Sequence, residues 1–466
     1  MPHDGPHPYA LFSLLPLNDR AKEILEFPEN AHLVSSLRPR KHDPTFRVQG
    51  LDIGFHIRSA SRYTLATIGR CGDVVVKDAN ISRIHCSFEL DEHNKEEVML
   101  QDRSSNNSTE LLGMTRVPFE PGRPHRRVVV DRNINLEFGL GGKTCDLYQF
   151  QIFWHTYAES MVRQQIDYRE DDPRQARTVV DVTQAVVAPR PHALVHATGS
   201  PGRIRYSGRR ELGRGSFGVV WKVANVDTGE HLAVKRIQRP RIQSRAYVVL
   251  KREIEILSRV SHRNIVEYRA AQSADDEHYE IFMELKSVNI QHLIQDHFFT
   301  GETGSADALL HQMLQALDYL ANENIIHRDI KPENILYTPL PNGKYLYQLA
   351  DFGLANVVIN ARTPAGSLVY MAPEVYLKLK WPQSTKTDIW SLFVTLACAT
   401  NADGFWAKPM GSVEERFKAI REAAEGKLRR VATMAVEDPY YRATAGYILD
   451  KIYGGVGRTT PQHRLL

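Results

Sequence analysis

At 466 residues the chain exceeds what one hydrophobic core usually serves, so about two or three domains are expected. A hydrophobic fraction of 42% and a charged fraction of 24% are ordinary for soluble globular protein. Lys and Arg number 59 against 55 acidic residues; a net charge of +4 without a basic run argues against a nucleic-acid stripe and leaves room for a local phosphate site.

Cys71, Cys86, Cys145 and Cys398 are too few and too scattered for a disulfide framework or a zinc cluster. They fit a reducing compartment, and an intracellular location, nuclear or cytoplasmic, is expected. The opening MPHDGPHPYA lacks the charged and apolar regions of a signal peptide. Ile389 to Thr400, the most apolar segment, is far shorter than the roughly 20 residues of a membrane span and reads as a buried helix.

Residues 1–44 form an N-terminal extension of mixed character, with Pro-rich ends around an apolar patch from Tyr9 to Leu17 and a short helical stretch from Ala21 to Phe27. No function attaches to it; packing on the next domain and partial mobility both fit its composition. Over residues 45–157 short runs of β-branched and aromatic residues alternate with polar turns: Tyr63 to Ile68, Val74 to Val76, His85 to Leu90, Val98 to Gln101, Val128 to Val130 and Tyr148 to Trp154. This spacing predicts an all-β sandwich.

Three loops of that sandwich hold the informative residues: Ile68-Gly69-Arg70, Ser82-Arg83-Ile84-His85, and Asp102-Arg103-Ser104-Ser105-Asn106-Asn107-Ser108. A single loop of this composition reads as surface arginines on an ordinary sandwich. All three, in this order, resemble the forkhead-associated (FHA) domain, a phosphothreonine-peptide module. The resemblance implies phosphate contacts at Arg70, Ser82 and Arg83, a loop brace at His85, and a peptide-backbone contact at Asn106. The chemistry agrees, because a guanidinium offers paired charge-assisted donors, a hydroxyl adds another, and an amide both donates and accepts. Where the family has Gly-Thr after the Asn, this chain has Asn107-Ser108. Asn adopts positive φ more readily than most residues, so the turn stays available and the pocket is open to reshaping.

Residues 158–205 are polar and Pro-punctuated and read as a linker. Thr183-Gln184 is the only Ser/Thr-Gln pair in the chain, and an accidental dipeptide accounts for it.

From Tyr206 to the end, a second motif set appears in order. Leu212-Gly213-Arg214-Gly215-Ser216-Phe217-Gly218 lies between strand-like segments, followed by Val220, and glycines there let backbone amides approach a triphosphate. Ala233-Val234-Lys235 lies on the next strand and Glu253 on the next helix, about Arg245 to Val260, where Ile254 and Leu257 mark an apolar stripe. An apolar strand then runs through Met283, Glu284 and Leu285. An amphipathic helix, Ala308 to Asn322, leads into His327-Arg328-Asp329-Ile330-Lys331-Pro332-Glu333-Asn334, and Asp351-Phe352-Gly353 and Met371-Ala372-Pro373-Glu374 follow.

This series resembles the eukaryotic protein kinases, which implies an α+β bilobal fold over residues 206–466, ATP and Mg²⁺ as cofactors, and protein substrates. It assigns Lys235 to the α- and β-phosphates with Glu253 aligning it, Met283 to the gatekeeper, and the backbone of Glu284 to Lys286 to the adenine hinge. Asp329 would orient the acceptor hydroxyl and take its proton, Asn334 and Asp351 would hold metal, and Lys331 accompanies Ser/Thr transfer. Asp388 would brace the catalytic loop and Arg442 would pair with Glu374. Thr363, four residues before Ser367, stands where relatives carry an activating phosphothreonine, with Arg328 as its cationic partner; an unmodified loop hydroxyl is the alternative.

An FHA-like module ahead of a Ser/Thr kinase resembles the FHA-containing checkpoint kinases, which act in DNA-damage checkpoint signalling. The glutamine-directed cluster of those relatives is absent. The stretch beyond the hinge, Val288-Asn289-Ile290, carries no carboxylate, although Glu333 remains, so at most a weak preference for basic residues upstream of the acceptor is expected. The implied partners are phosphothreonine-containing proteins and protein substrates, with a homodimer also open; no membrane is expected. Two alternatives stand beside an active kinase: a phosphopeptide-binding scaffold with an inactive kinase fold, and a sandwich that has lost phosphate binding and serves for docking.

Overall fold

The computed structural model describes residues 3–38, 46–91, 97–121, 125–156, 165, 203–215, 218–241, 244–286, 288–301, 305–351, 365–377 and 383–461. The chain divides into two compact units, Met1–Arg190 with Gly202–Arg209 and Val223–Leu232, and Pro191–Pro201 with Arg210–Lys222 and Ala233–Leu466.

In the first unit the strands are β1 (His3–Asp4), β2 (Ala10–Pro16), β3 (Val34–Leu37), β4 (Val48–Gly54), β5 (Thr64–Gly69), β6 (Val74–Val75), β7 (Cys86–Leu90), β8 (Val98–Asp102), β9 (Thr109–Leu112), β10 (Arg127–Val130), β11 (Glu137–Leu140) and β12 (Tyr148–Trp154). A seven-stranded sheet runs β1-β3-β4-β2-β12-β11-β9 and a five-stranded sheet β10-β8-β7-β5-β6. Aromatic side chains join their inner faces: Phe88 on β7 meets Phe12 on β2 at 4.9 Å and Phe138 on β11 at 5.5 Å between ring centroids, both edge-on.

The residues read as an N-terminal extension belong to this sandwich. β2 pairs with both β4 and β12, setting Phe12 opposite Ile53 and Leu14 opposite Ile152, so the sheet begins well before residue 45. Its sequence, ALFSLLP, shows no alternation because both faces are buried; helix α1 (Asp19–Leu25) packs beside it. Its one polar residue is satisfied. Ser13 Oγ donates to the buried Asp52 carboxylate at 2.5 Å, which also accepts from Ser35 Oγ at 2.7 Å and the His7 N–H at 2.6 Å. Since Ser13 gives its proton to Asp52, His155 Nε2–H donates to Ser13 Oγ at 2.9 Å. The network ties β2, β3, β4 and the residue after β12 together.

The remaining strands are β13 (Tyr206–Gly215), β14 (Gly218–Asn225), β15 (His231–Gln238), β16 (Tyr268–Ser273) and β17 (His278–Glu284), in a sheet ordered β13-β14-β15-β17-β16, followed by β18 (Val288–Asn289), β19 (Ile335–Pro339) and β20 (Tyr345–Leu349) in a second small sheet. Helix α2 (Arg245–Leu257) has Ile254 and Leu257 against Leu250, Ile237 and Ile281, as the apolar stripe predicts. Helices α3 (Ile290–Gln295), α4 (Ser305–Asn322), α5 (Pro373–Tyr376), α6 (Lys386–Ala399), α7 (Val413–Glu425) and α8 (Ala445–Tyr453) follow. α6 is buried on nearly every side, as its continuous apolar run implies, and Trp390 and Phe393 share one core with Leu314 of α4. Among the described residues no helix is long and apolar enough to cross a membrane. A β-sandwich followed by an α+β kinase-type fold is the expected architecture.

Candidate functional site

The catalytic loop is built on backbone clamps. Asp388, in the first turn of α6 and almost wholly buried, accepts from the backbone N–H of His327 at 2.7 Å and of Arg328 at 2.8 Å. Burial pushes its carboxyl up to about 6, while those two amides and the Arg328 charge pull the other way. His327 is fully buried; its Nε2–H donates to the Ala350 carbonyl at 3.0 Å and its Nδ1 accepts from the Asp329 N–H at 3.3 Å. Burial lowers its pKa to about 4, so the ring is neutral and its tautomer follows from its two bonds. Arg328 takes φ 69°, the left-handed region, between these anchors.

On that scaffold the site side chains bond to one another. Lys331 Nζ donates to the two Asp329 carboxylate oxygens at 2.7 and 3.0 Å. Asn334 Nδ2 donates to Asp329 Oδ2 at 2.8 Å and to the Asp329 carbonyl at 2.7 Å. Asn334 thus spends its amide N–H groups on Asp329 and keeps Oδ1 for a cation. The Ala350 N–H donates to the Asn334 carbonyl at 2.8 Å, which sets Asp351 beside the loop. Lys235, on β15 and 4% exposed, pairs with Asp351 Oδ1. Both line a cavity of about 30 Å³ together with Met283, Leu257 and Tyr268.

The donor set fits the implied cofactors. Asn334 Oδ1 and the Asp351 carboxylate are hard oxygen ligands suited to Mg²⁺, and buried Lys235 is a cation placed for phosphate. Gly218 is required by the sheet: its φ is 141° and a Cβ there would stand 2.0 Å from the Arg236 carbonyl, so only glycine lets β14 approach β15 this closely.

Leu212, Gly213, Arg214 and Gly215 end β13, Val220 lies on β14 and Ala233 on β15, while Met283 and Glu284 end β17 just before Leu285. Arg442 and Glu374 form the expected pair, fully buried and bidentate at 2.8 and 2.9 Å, with Thr387 Oγ1 adding a bond to Glu374. Ser216, Phe217, Phe352, Gly353, Thr363 and the Thr183-Gln184 pair lie outside the described residues, as does the side chain of Glu253, although α2, which carries it, is present.

In the sandwich the three informative loops meet at one edge. The Arg70 N–H donates to the Ser82 carbonyl at 3.1 Å and the Cys71 N–H to the Arg83 carbonyl at 2.8 Å. Gly69 permits this approach, since a Cβ would stand 2.4 Å from the Arg83 carbonyl oxygen. Arg70 Nε donates to the Ile81 carbonyl at 2.8 Å, which leaves both Nη groups of this exposed residue without a bond among the described residues. Buried His85 braces the second loop to the third: Nδ1 accepts from the Ser82 N–H at 3.2 Å and Nε2–H donates to the Ser108 carbonyl at 3.1 Å. The Ser105 N–H reaches Ser82 Oγ at 3.3 Å. Asn107 has φ 51°, so the left-handed turn survives the loss of glycine. Arg83 and Asn106 are exposed beside it.

Asp102 is the residue the motif reading undervalued. Its buried carboxylate accepts from the Ser104 N–H at 2.9 Å, Ser104 Oγ at 2.7 Å, Thr109 Oγ1 at 3.0 Å and Arg126 Nη1 at 2.5 Å. An Asp two residues before a serine at a turn was the available signal.

The protein kinase domain family matches residues 206–445 and the FHA domain family residues 66–127. The mitogen-activated protein kinase kinase kinase YODA of Arabidopsis thaliana is 35% identical over 282 residues, 57% of this chain and 31% of its own length. Serine/threonine-protein kinase TAO1-B of Xenopus laevis is 35% identical over 192 residues, 41% of this chain and 19% of its own. Serine/threonine-protein kinase 33 of Mus musculus is 30% identical over 274 residues, 53% of this chain and 54% of its own. The chain therefore spans about half or less of these relatives. With a match over more than half its length and the loop geometry above, the chain belongs to the protein kinase family, and an FHA domain precedes its kinase domain.

Proposed function

We propose that this protein is an ATP-dependent serine/threonine protein kinase recruited to its substrates through phosphothreonine recognition by the FHA domain, in checkpoint-type intracellular signalling. The observation that carries the reading is the cluster in which Lys331 and Asn334 fix the Asp329 carboxylate, while the Ala350 N–H on the Asn334 carbonyl brings in Asp351 with its partner Lys235. Bound MgATP supplies the transferable phosphoryl group and neutralises charge as it moves. Asp329 orients the acceptor hydroxyl and takes its proton; Lys331 stands within 3.0 Å of that carboxylate to meet phosphate charge. Asn334 and Asp351 would hold the cation, and Lys235 would orient the phosphates.

Arg328 supports control through the activation segment. Its Nε and Nη1 are buried and without a hydrogen-bond partner among the described residues, a setting for an anion such as phosphorylated Thr363. Thr363→Ala then lowers activity; full activity of phosphatase-treated enzyme counts against that control. With exposed Glu333 as the nearby carboxylate, selection for upstream Arg is weak, which a positional peptide library reads.

The test is an ATP/Mg²⁺ assay of wild type, Asp329→Ala and Arg70→Ala on a generic peptide and on a substrate primed with phosphothreonine. Loss of all transfer in the first variant and loss of only the priming advantage in the second is expected. Equal background in all three proteins would support an inactive scaffold instead.

A further inference from the structure

Beyond the reacting groups, the second unit holds a buried carboxylate with an unusual set of partners. Asp318, on α4, is fully buried. Its described donors all come from two consecutive residues: the Thr459 N–H at 2.6 Å, Thr459 Oγ1 at 3.0 Å, the Thr460 N–H at 2.8 Å and Thr460 Oγ1 at 2.5 Å. A buried carboxylate needs its hydrogen bonds, so this two-residue latch satisfies the acid and fixes the segment.

The segment lies at the surface after a glycine-rich turn. Gly454, Gly455 and Gly457 precede it with φ 61°, 79° and 80°, a run of left-handed residues after the last turn of α8. Val456 is 61% exposed, and Thr459 and Pro461 are exposed. Besides the latch, the segment is held by His311 Nε2–H donating to the Val456 carbonyl at 3.1 Å, by an Arg458 to Asp450 ion pair at 3.2 Å, by the Gly455 N–H on the Leu449 carbonyl at 3.0 Å, and by the close approach of Gly457 to the Gln315 side chain. The residue after Thr460 is Pro461, the neighbour that proline-directed Ser/Thr kinases require.

We propose that Thr460 is a phosphoacceptor for a proline-directed Ser/Thr kinase and that its phosphorylation unlatches the segment from Asp318. In the transfer, the Thr460 Oγ1–P bond forms as the bond between the γ-phosphorus and the β,γ-bridging oxygen of ATP breaks. ADP leaves with that electron pair, and the hydroxyl proton passes to the base of the modifying kinase. The product no longer has the donor that bonded Asp318 Oδ1 and sets about −1.5 to −2 charges against a carboxylate. Repulsion and the lost bond act together, and departure of the segment admits water to Asp318.

The full chain carrying Asp329→Asn, which removes self-phosphorylation, is incubated with ATP/Mg²⁺ and an active cyclin-dependent kinase or mitogen-activated protein kinase, beside a synthetic peptide of residues 455–465. Mass spectrometry is expected to place phosphate on Thr460 of the chain, with Thr460→Ala blocking it and Thr460→Ser restoring it. Amide hydrogen exchange of residues 458–460 then rises at least about tenfold, because opening becomes favourable. Modification of the peptide but not the chain, of neither, or at Thr459 instead overturns the assignment. So does stoichiometric phosphate on Thr460 with exchange unchanged.

Discussion

The FHA loops of the first unit and the catalytic loop of the second both gather groups suited by their chemistry to phosphate, and they hold them by different means. In the FHA loops the holding falls mainly to Gly69, His85 and Asp102, while Arg83 and Asn106 stand exposed and Arg70, bonded to the Ile81 carbonyl through Nε, keeps both Nη groups outward. In the catalytic loop the same side chains do both, since Lys331 and Asn334 fix Asp329, and Asp351 pairs with Lys235. Binding and folding are therefore separable by mutation in the first unit. In the second, removing one site residue disturbs the next.

The largest effect expected is on catalysis. Asp329→Asn lowers kcat by about 10³-fold. Adding Lys331→Met to it costs little more, because the two act as one group; additive losses in steady-state kinetics would break the contrast. Glu374→Ala comes next: it leaves the buried Arg442 guanidinium unpaired and costs about 3–5 kcal/mol in denaturant unfolding. A loss within about 1 kcal/mol, on the scale of a surface pair, would show that water relieves it.

For the FHA loops, Arg70→Ala weakens a phosphothreonine peptide by about 10- to 100-fold in calorimetry, the range of a lost charge-assisted bond, while the lost Nε bond to Ile81 costs only about 1 kcal/mol of stability. His85→Ala should reduce both, and a variant that spares stability would dissolve the division of labour. A smaller effect concerns pH. Burial and the neighbouring His7 lower the His56 pKa from 6.5 to about 4, and burial lowers His155 as well. Between about pH 6.5 and pH 4 the unfolded chain binds protons that the folded unit refuses, so stability is full above 6.5 and falls as pH falls. Hydrogen exchange in β2 and β12 reads this, and His56→Gln flattens the profile; an unchanged slope would remove His56 as its source. Asn107→Gly is the mildest change, within about 1 kcal/mol and with peptide binding kept, because the turn already sits at positive φ.

Legibility in the sequence followed locality. The six strands expected between Tyr63 and Trp154 are present, α2 and α4 lie where their amphipathic patterns placed them, and α6 where its continuous apolar run did. β2 was missed as a strand because an apolar run buried on both faces has no period of two to read. Asp102 was missed for a related reason: its partners Thr109 and Arg126 come from other strands and edges, and no spacing rule joins them.

By itself the sequence determined the motifs from which the catalytic set is proposed, the three FHA loops and their order, because each is a short stretch whose chemistry follows from residue type and close spacing. Only the tertiary structure decided that the strands between His3 and Leu37 complete the sandwich and that Asp318 is satisfied by Thr459 and Thr460. Those contacts join residues distant in the chain through buried carboxylates. A buried charge takes whatever donors the fold brings to it, and which donors arrive depends on packing rather than on local pattern.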